Sequence, residues 1–136
     1  MDKILDSWAV LAWLQDERPA AEKVQALLDA AEAGTLKLGM CMINVGEVYY
    51  RLAKTRGEGD AVAFLRDLKS MPIKTLGVPK KLIVEAARLK GRYSMSYADA
   101  FAVATAVRER APIVTGDPEI KALVDTGRVG VEWIGP

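Results

Sequence analysis

The decapeptide APIVTGDPEI, residues Ala111 to Ile120, holds a strand, a stop and a helix start within ten positions. Pro112-Ile113-Val114-Thr115 is short, apolar and β-branched, the composition of a buried strand. Gly116 ends it. Asp117 followed by Pro118 has the form of a helix N-cap with proline at the first helical position. A carboxylate therefore stands where a buried strand hands over to a helix. Three further acids raise the same question: Asp6, Glu47 and Asp99.

Outward from this stretch the chain alternates between short apolar runs and helical patterns. Lys3-Ile4-Leu5 suits a first strand, followed by Asp6-Ser7 and the apolar helical segment WAVLAWL. Pro19 opens a helix carrying Val24, Leu27, Leu28 and Ala31 at helical period and ending near Gly34. LKLGM reads as a second strand. Asn44 starts a helix through VGEVYYRLAK that stops around Gly57, residues 60–69 form another, and PIKTL is a third strand. Pro79 to Lys90 is amphipathic. Ser96 begins YADAFAVATAVRER, apolar nearly all round and so a buried central helix. PIVT is the fourth strand, a short helix follows Pro118, and VEWI is the fifth strand. No repeat or linker divides the chain, so residues 1–136 are expected to form one domain. Its class is α/β, a short, mainly parallel central sheet covered by helices in three layers. In such sheets sites lie beyond the carboxyl ends of the strands, which picks out Asp6 and Asp117 directly. Glu47 and Asp99 are placed by their helices.

Composition removes whole classes of chemistry. The chain contains no histidine, which excludes Ser-His and Cys-His nucleophile systems and His zinc sites. The single cysteine, Cys41, lies in the apolar run LGMCMI and reads as a small core hydrophobe. Net charge is +1, so no global basic field announces nucleic acid, although a local basic strip suffices for binding. No apolar run approaches the roughly 20 residues needed to span a bilayer. MDKILDSW lacks the layout of a secretory signal. A cytoplasmic protein without a membrane partner is expected.

Each acid has a structural reading. Asn44-Val-Gly-Glu47 and Ser96-Tyr-Ala-Asp99 have capping-box spacing, and Asp6 and Asp117 are N-cap candidates, each cap contributing about 1 kcal/mol. Capping explains why an acid is tolerated at these places, but not its company. Asp6 lies within an almost wholly apolar segment, and Asp99 in the first turn of a helix too apolar for the surface. Buried carboxylates that approach one another take up protons or hold a cation. A hard divalent ion such as Mg²⁺ takes oxygen ligands and leaves room for water and substrate phosphate. If the four acids converge, the chemistry implied is metal-assisted phosphodiester hydrolysis.

In order and spacing, ILDSWAVLAWL, INVGEVYYRL, SYADAFAVATA and IVTGDPEI resemble the four acidic motifs of PIN-domain ribonucleases, and more narrowly the toxins of VapBC-type toxin–antitoxin pairs. The resemblance implies a PIN-like fold in which Asp6, Glu47, Asp99 and Asp117 are the metal-binding and catalytic acids. Thr115 matches the family's small polar residue before the last motif and Ser7 the one after the first acid, while Glu119 is an auxiliary candidate. It further implies Mg²⁺ or Mn²⁺, RNA cleavage by a metal-activated water, a homodimer, and neutralisation by a small antitoxin laid across an apolar groove. Trp8 departs from the pattern, standing where a smaller residue is usual. The alternative is a catalytically silent PIN-like module that binds RNA or protein.

Substrate phosphates need positive charge beside the acids. Arg51, Lys54 and Arg56 after Glu47 are candidates, with Lys80, Lys81, Lys90 and Arg92 further along; each also reads as an ordinary solvated helix face. Tyr49 and Tyr50 have rings able to stack bases. Trp8, Trp13 or both are expected to lose exposure when a second copy or an antitoxin binds.

Overall fold

In the computed structural model, which describes residues 1–123 and 127–136, the alternating pattern becomes five strands and seven helices among the described residues. In chain order these are β1 (Lys3–Leu5), α1 (Ser7–Leu14), α2 (Ala20–Glu32), β2 (Leu38–Cys41), α3 (Met42–Arg56), α4 (Glu58–Leu68), β3 (Ile73–Leu76), α5 (Lys80–Arg92), α6 (Tyr97–Glu109), β4 (Ile113–Thr115), α7 (Pro118–Lys121) and β5 (Val131–Trp133). All strand pairs are parallel, in the order β3-β2-β1-β4-β5. The sheet is thus wholly parallel where the sequence led us to expect a mainly parallel one.

Strand alternation builds the layers. Successive side chains point to opposite faces, so Leu5, Leu38, Met40 and Val114 join a core with helices α1 to α4. Their neighbours Ile4, Cys41 and Ile113 join a second core with α5, α6 and Ile120 of α7. A sheet apolar on both faces needs helices on both, which is why the central strands β1, β2 and β4 are almost wholly apolar and buried, whereas the edge strands β3 and β5 carry Lys74 and Glu132. Cys41 is fully buried and free, in keeping with its reading as a core residue. No helix among the described residues is long and apolar enough to cross a membrane.

The strand order also fixes where a site forms. The chain leaves β1 towards β2 and β3, then returns to lay β4 and β5 on the other side of β1. The connections diverge at the carboxyl ends of β1 and β4, opening a crevice. Register pairs Leu5 with Val114, so Asp6 and Thr115 emerge side by side.

One cap differs from expectation. Helix α3 begins at Met42, two residues before Asn44, with Cys41 in the cap position and no side-chain cap. Asn44 lies within the first turn, fully buried. Its Nδ2 donates to the carbonyl of Ala98 at 3.0 Å, tying α3 to the start of α6. Asn44-Val-Gly-Glu47 is therefore no capping box. A buried amide facing another helix does more by satisfying that helix's backbone than by capping its own. Asp6, Ser96 and Asp117 each accept a backbone N–H of the helix that follows, but the Ser96 N–H is bound by Glu119, so Ser96-Tyr-Ala-Asp99 makes only half of a capping box.

Candidate metal centre

Four elements deliver carboxylates to the crevice. Asp6 follows β1 and caps α1: Oδ1 accepts the Ala9 N–H at 2.8 Å and Oδ2 accepts the Thr115 hydroxyl. Thr115 Oγ1 in turn accepts the Asp117 N–H at 3.0 Å. One hydroxyl thus links the acid after β1 to the backbone of the acid after β4. Asp99 occupies the first turn of α6, its N–H bound by Ser96 Oγ at 3.1 Å. Asp117 caps α7 through the Glu119 N–H at 2.9 Å. Glu119 reaches back with Oε2 to the Ser96 N–H at 3.2 Å.

Asp99, Asp117 and Glu119 each offer a carboxylate oxygen, and these oxygens lie within 4.8 Å of one another. Their exposure is graded from buried Asp99 through half-buried Asp117 to exposed Glu119. A donor set of oxygens alone, without histidine or thiolate, suits a hard divalent cation. Asp6 stands apart from this trio. It is completely buried, with both oxygens already engaged by the protein.

Electrostatics tie Asp6 to the others nonetheless. Burial, partly offset by the Thr115 and Ala9 hydrogen bonds, pushes its carboxyl up to about 7, with the charges of Asp117 and Glu47 adding to the rise. Asp99 is pushed up to about 8, first by burial, then by the charge of Asp117, a hydrogen bond to Asp117 and the charge of Asp6. Carboxylates held this far above their ordinary range at a cleft mark a site that takes up protons or binds a cation.

Glu47 approaches from α3. Its Oε1 accepts the Ser7 hydroxyl, and Oε2 meets Arg51 at 3.2–3.3 Å. Ser7 thus positions Glu47, while Thr115 engages Asp6 and Asp117. Asn44, one turn before Glu47, fixes α3 against the carbonyl that precedes Asp99. Its Oδ1 is buried without a protein partner. Sequence reading missed this linking role because the residue's spacing to Glu47 satisfies a cap pattern equally well.

These groups open into a cleft of about 910 Å³, whose lining includes Ser7, Trp8, Glu47, Asp99, Asp117 and Glu119. Tyr50, Arg51 and Lys54 also line it, with the Lys54 ammonium 5.5 Å from the Tyr50 ring centroid. Arg56 does not line it; its guanidinium binds the Leu14 carbonyl at 3.3 Å. Arg92 lines a separate groove between α5 and α6, and Lys90 binds the Met95 carbonyl. Tyr49 is half-buried against the core, unlike exposed Tyr50. Both Trp8 and Trp13 are half-buried, Trp13 donating to Gln25 on α2.

A family model for the PIN domain matches residues 3–125. Among solved structures, VapC20 of Mycobacterium tuberculosis, described as a Sarcin-Ricin loop cleaving toxin, superposes with a TM-score of 0.73 at 17% identity, covering 89% of this chain and 94% of that one. VapBC2 of Rickettsia felis, bound to a DNA fragment from its promoter, matches with a TM-score of 0.71 at 16% identity, covering 97% and 98%. A toxin–antitoxin complex from Klebsiella pneumoniae matches with a TM-score of 0.65 at 20% identity, covering 94% and 95%. No curated protein matches the sequence significantly.

Proposed function

This chain belongs to the PIN-domain family, and from that premise we propose that it is a divalent-metal-dependent endoribonuclease, the toxin of a toxin–antitoxin pair, acting as a single domain. The observation that carries the reading is the convergence of acids from α3, α6 and the β4–α7 junction on one cleft, with Asp99, Asp117 and Glu119 within 4.8 Å of one another and Asp6 buried behind them. The fold's likeness to solved toxins and toxin–antitoxin complexes supports the biological setting.

In this reading Asp99, Asp117 and Glu119 hold Mg²⁺ or Mn²⁺, and Asp6 supports them from beneath. When bound, the ion supplies positive charge to the scissile phosphate and lowers the pKa of the attacking water. Glu47, oriented by Ser7, accepts a proton at its carboxylate or steadies the incoming water by hydrogen bonding. Thr115 keeps Asp6 and Asp117 in register. Arg51 and Lys54 bind substrate phosphates at the cleft wall, and Tyr50 offers an exposed ring to an unpaired base. A small antitoxin and a second copy of the chain are the proposed protein partners.

The test is incubation of the purified protein with total RNA, with Mg²⁺ and with excess chelator, beside Asp6→Asn. Fragments should form only in the wild type with metal. Equal cleavage in chelator, or full activity of Asp6→Asn, refutes the mechanism. Absence of cleavage by the wild type under every metal condition favours a silent binding module.

A further inference from the structure

Trp8 stands beside the candidate metal centre, and its surroundings give it a task. It lies in the first turn of α1, two residues after Asp6, and lines the acidic cleft. Its indole ring lies flush against the backbone of Gly116. A Cβ placed on Gly116 would stand 2.3–2.5 Å from the ring atoms Cη2, Cζ3 and Cζ2, inside any tolerable contact distance. A second close approach comes from the C-terminal segment, where a Cβ on Gly135 would come within 3.1 Å of the Gly116 Cα. One residue upstream, the Thr115 carbonyl accepts the Ile134 N–H at 3.0 Å. The peptide between Thr115 and Asp117 is thus hemmed by the Trp8 ring and the strap after β5.

We infer that Trp8 is a positioning residue for Asp117: its ring fixes the Gly116 backbone and thereby sets where the Asp117 carboxylate meets those of Asp99 and Glu119. The fit is reciprocal. Trp8 needs glycine at 116, because every other side chain would displace the ring. Asp117 needs the ring, because Gly116 alone leaves the largest backbone freedom immediately before it. The inference deepens the proposed metal-site reading and rests on it for its consequence, though not for the contact itself.

Two readouts separate the inference from that reading. In metal-free protein, amide hydrogen exchange reports the Asp117 and Glu119 N–H groups, which are bound by Thr115 Oγ1 and Asp117 Oδ1. Trp8→Ala should speed exchange at both by about tenfold or more, beyond any change in core amides such as those of β1, while Trp8→Phe, which keeps a flat ring, should speed it less. Exchange at wild-type rates in Trp8→Ala, or faster only in proportion to the core, overturns the inference whatever the metal does. The second readout is Mn²⁺ affinity by calorimetry. Trp8→Ala and Gly116→Ala should each weaken binding about tenfold, in the range of residues that orient ligands. The double variant should be no weaker than either single one, since removing the ring makes room for the methyl group added at position 116. Multiplicative losses, or a KM increase for RNA in Trp8→Ala with Mn²⁺ affinity unchanged, show instead that Trp8 merely packs or stacks on substrate. If exchange responds as expected but the wild type binds no Mn²⁺, Trp8 still positions Asp117 and the nuclease reading falls.

Discussion

Asp6 is the most deeply buried of the acids, and its replacement by asparagine should stabilise the metal-free protein in a way that depends on pH. The folded-state pKa of about 7 lies above the ordinary 3.8. The folded protein therefore holds this proton more tightly than the unfolded chain does, and stability is lost as pH rises from 3.8 through about 7. At about 1.4 kcal/mol per pH unit, the full loss above neutrality is about 4 kcal/mol, against about 1.5 kcal/mol at about pH 5. Asparagine never ionises. It keeps an oxygen for the Ala9 N–H, but its amide meets a Thr115 hydroxyl that donates in the native protein, a mismatch costing about 1 kcal/mol. Asp6→Asn should therefore be about neutral near pH 5 and more stable than wild type by about 3 kcal/mol at about pH 8.5. Urea unfolding in chelator at both pH values measures this. An equal stability difference at the two pH values, or a destabilised variant at the higher one, refutes the view that burial holds the Asp6 carboxyl far above its ordinary range.

Three further outcomes follow from the same geometry. Thr115→Val removes the hydroxyl that bonds Asp6 and accepts the Asp117 N–H, and should destabilise the fold by about 1–3 kcal/mol in urea melts. Arg51→Gln, at a cleft-lining and largely exposed guanidinium, should weaken RNA binding and reduce the salt dependence of log K by about 1; an unchanged slope removes Arg51 from the phosphate-binding wall. Mn²⁺ at about 100 times its Kd should stabilise the wild type by about 2.7 kcal/mol. That gain, read as a rise in Tm, should vanish in Asp99→Asn and Asp117→Asn.

The strands were legible to within a residue or two, the central ones because each is a short, largely apolar run between polar or glycine breaks, as in Lys3-Ile4-Leu5 and Ile113-Val114-Thr115. The doubly buried character of β2 and β4 also disclosed the helix–sheet–helix layering. The start of α3 was not legible. Cys41, Met42 and Ile43 are apolar straight through the strand-to-helix junction, so the first polar residue, Asn44, drew a cap assignment that tertiary contact with Ala98 overrides. The four acids were readable as an ordered set, of which Glu47, Asp99 and Asp117 line one cleft. Their grouping within it was not readable. Glu119 is drawn beside Asp99 by its bond to the Ser96 backbone, whereas Asp6 is withdrawn beneath the cleft by Thr115. Among the cations, Arg56 looked equivalent to Arg51 on helix α3, but it is directed to the carboxyl end of α1. Spacing along one helix specifies a face and not the neighbour across from it. The Trp8–Gly116 contact spans most of the chain and has no local signature at all.

Anomalous diffraction from crystals soaked in Mn²⁺ tests most directly whether these acids form a cation site. A peak should stand among Asp99, Asp117 and Glu119, about 2.0–2.3 Å from carboxylate oxygens, and should be lost in crystals of Asp117→Asn. Saturating Mn²⁺ with no peak in the cleft, or a peak held by other residues, contradicts it.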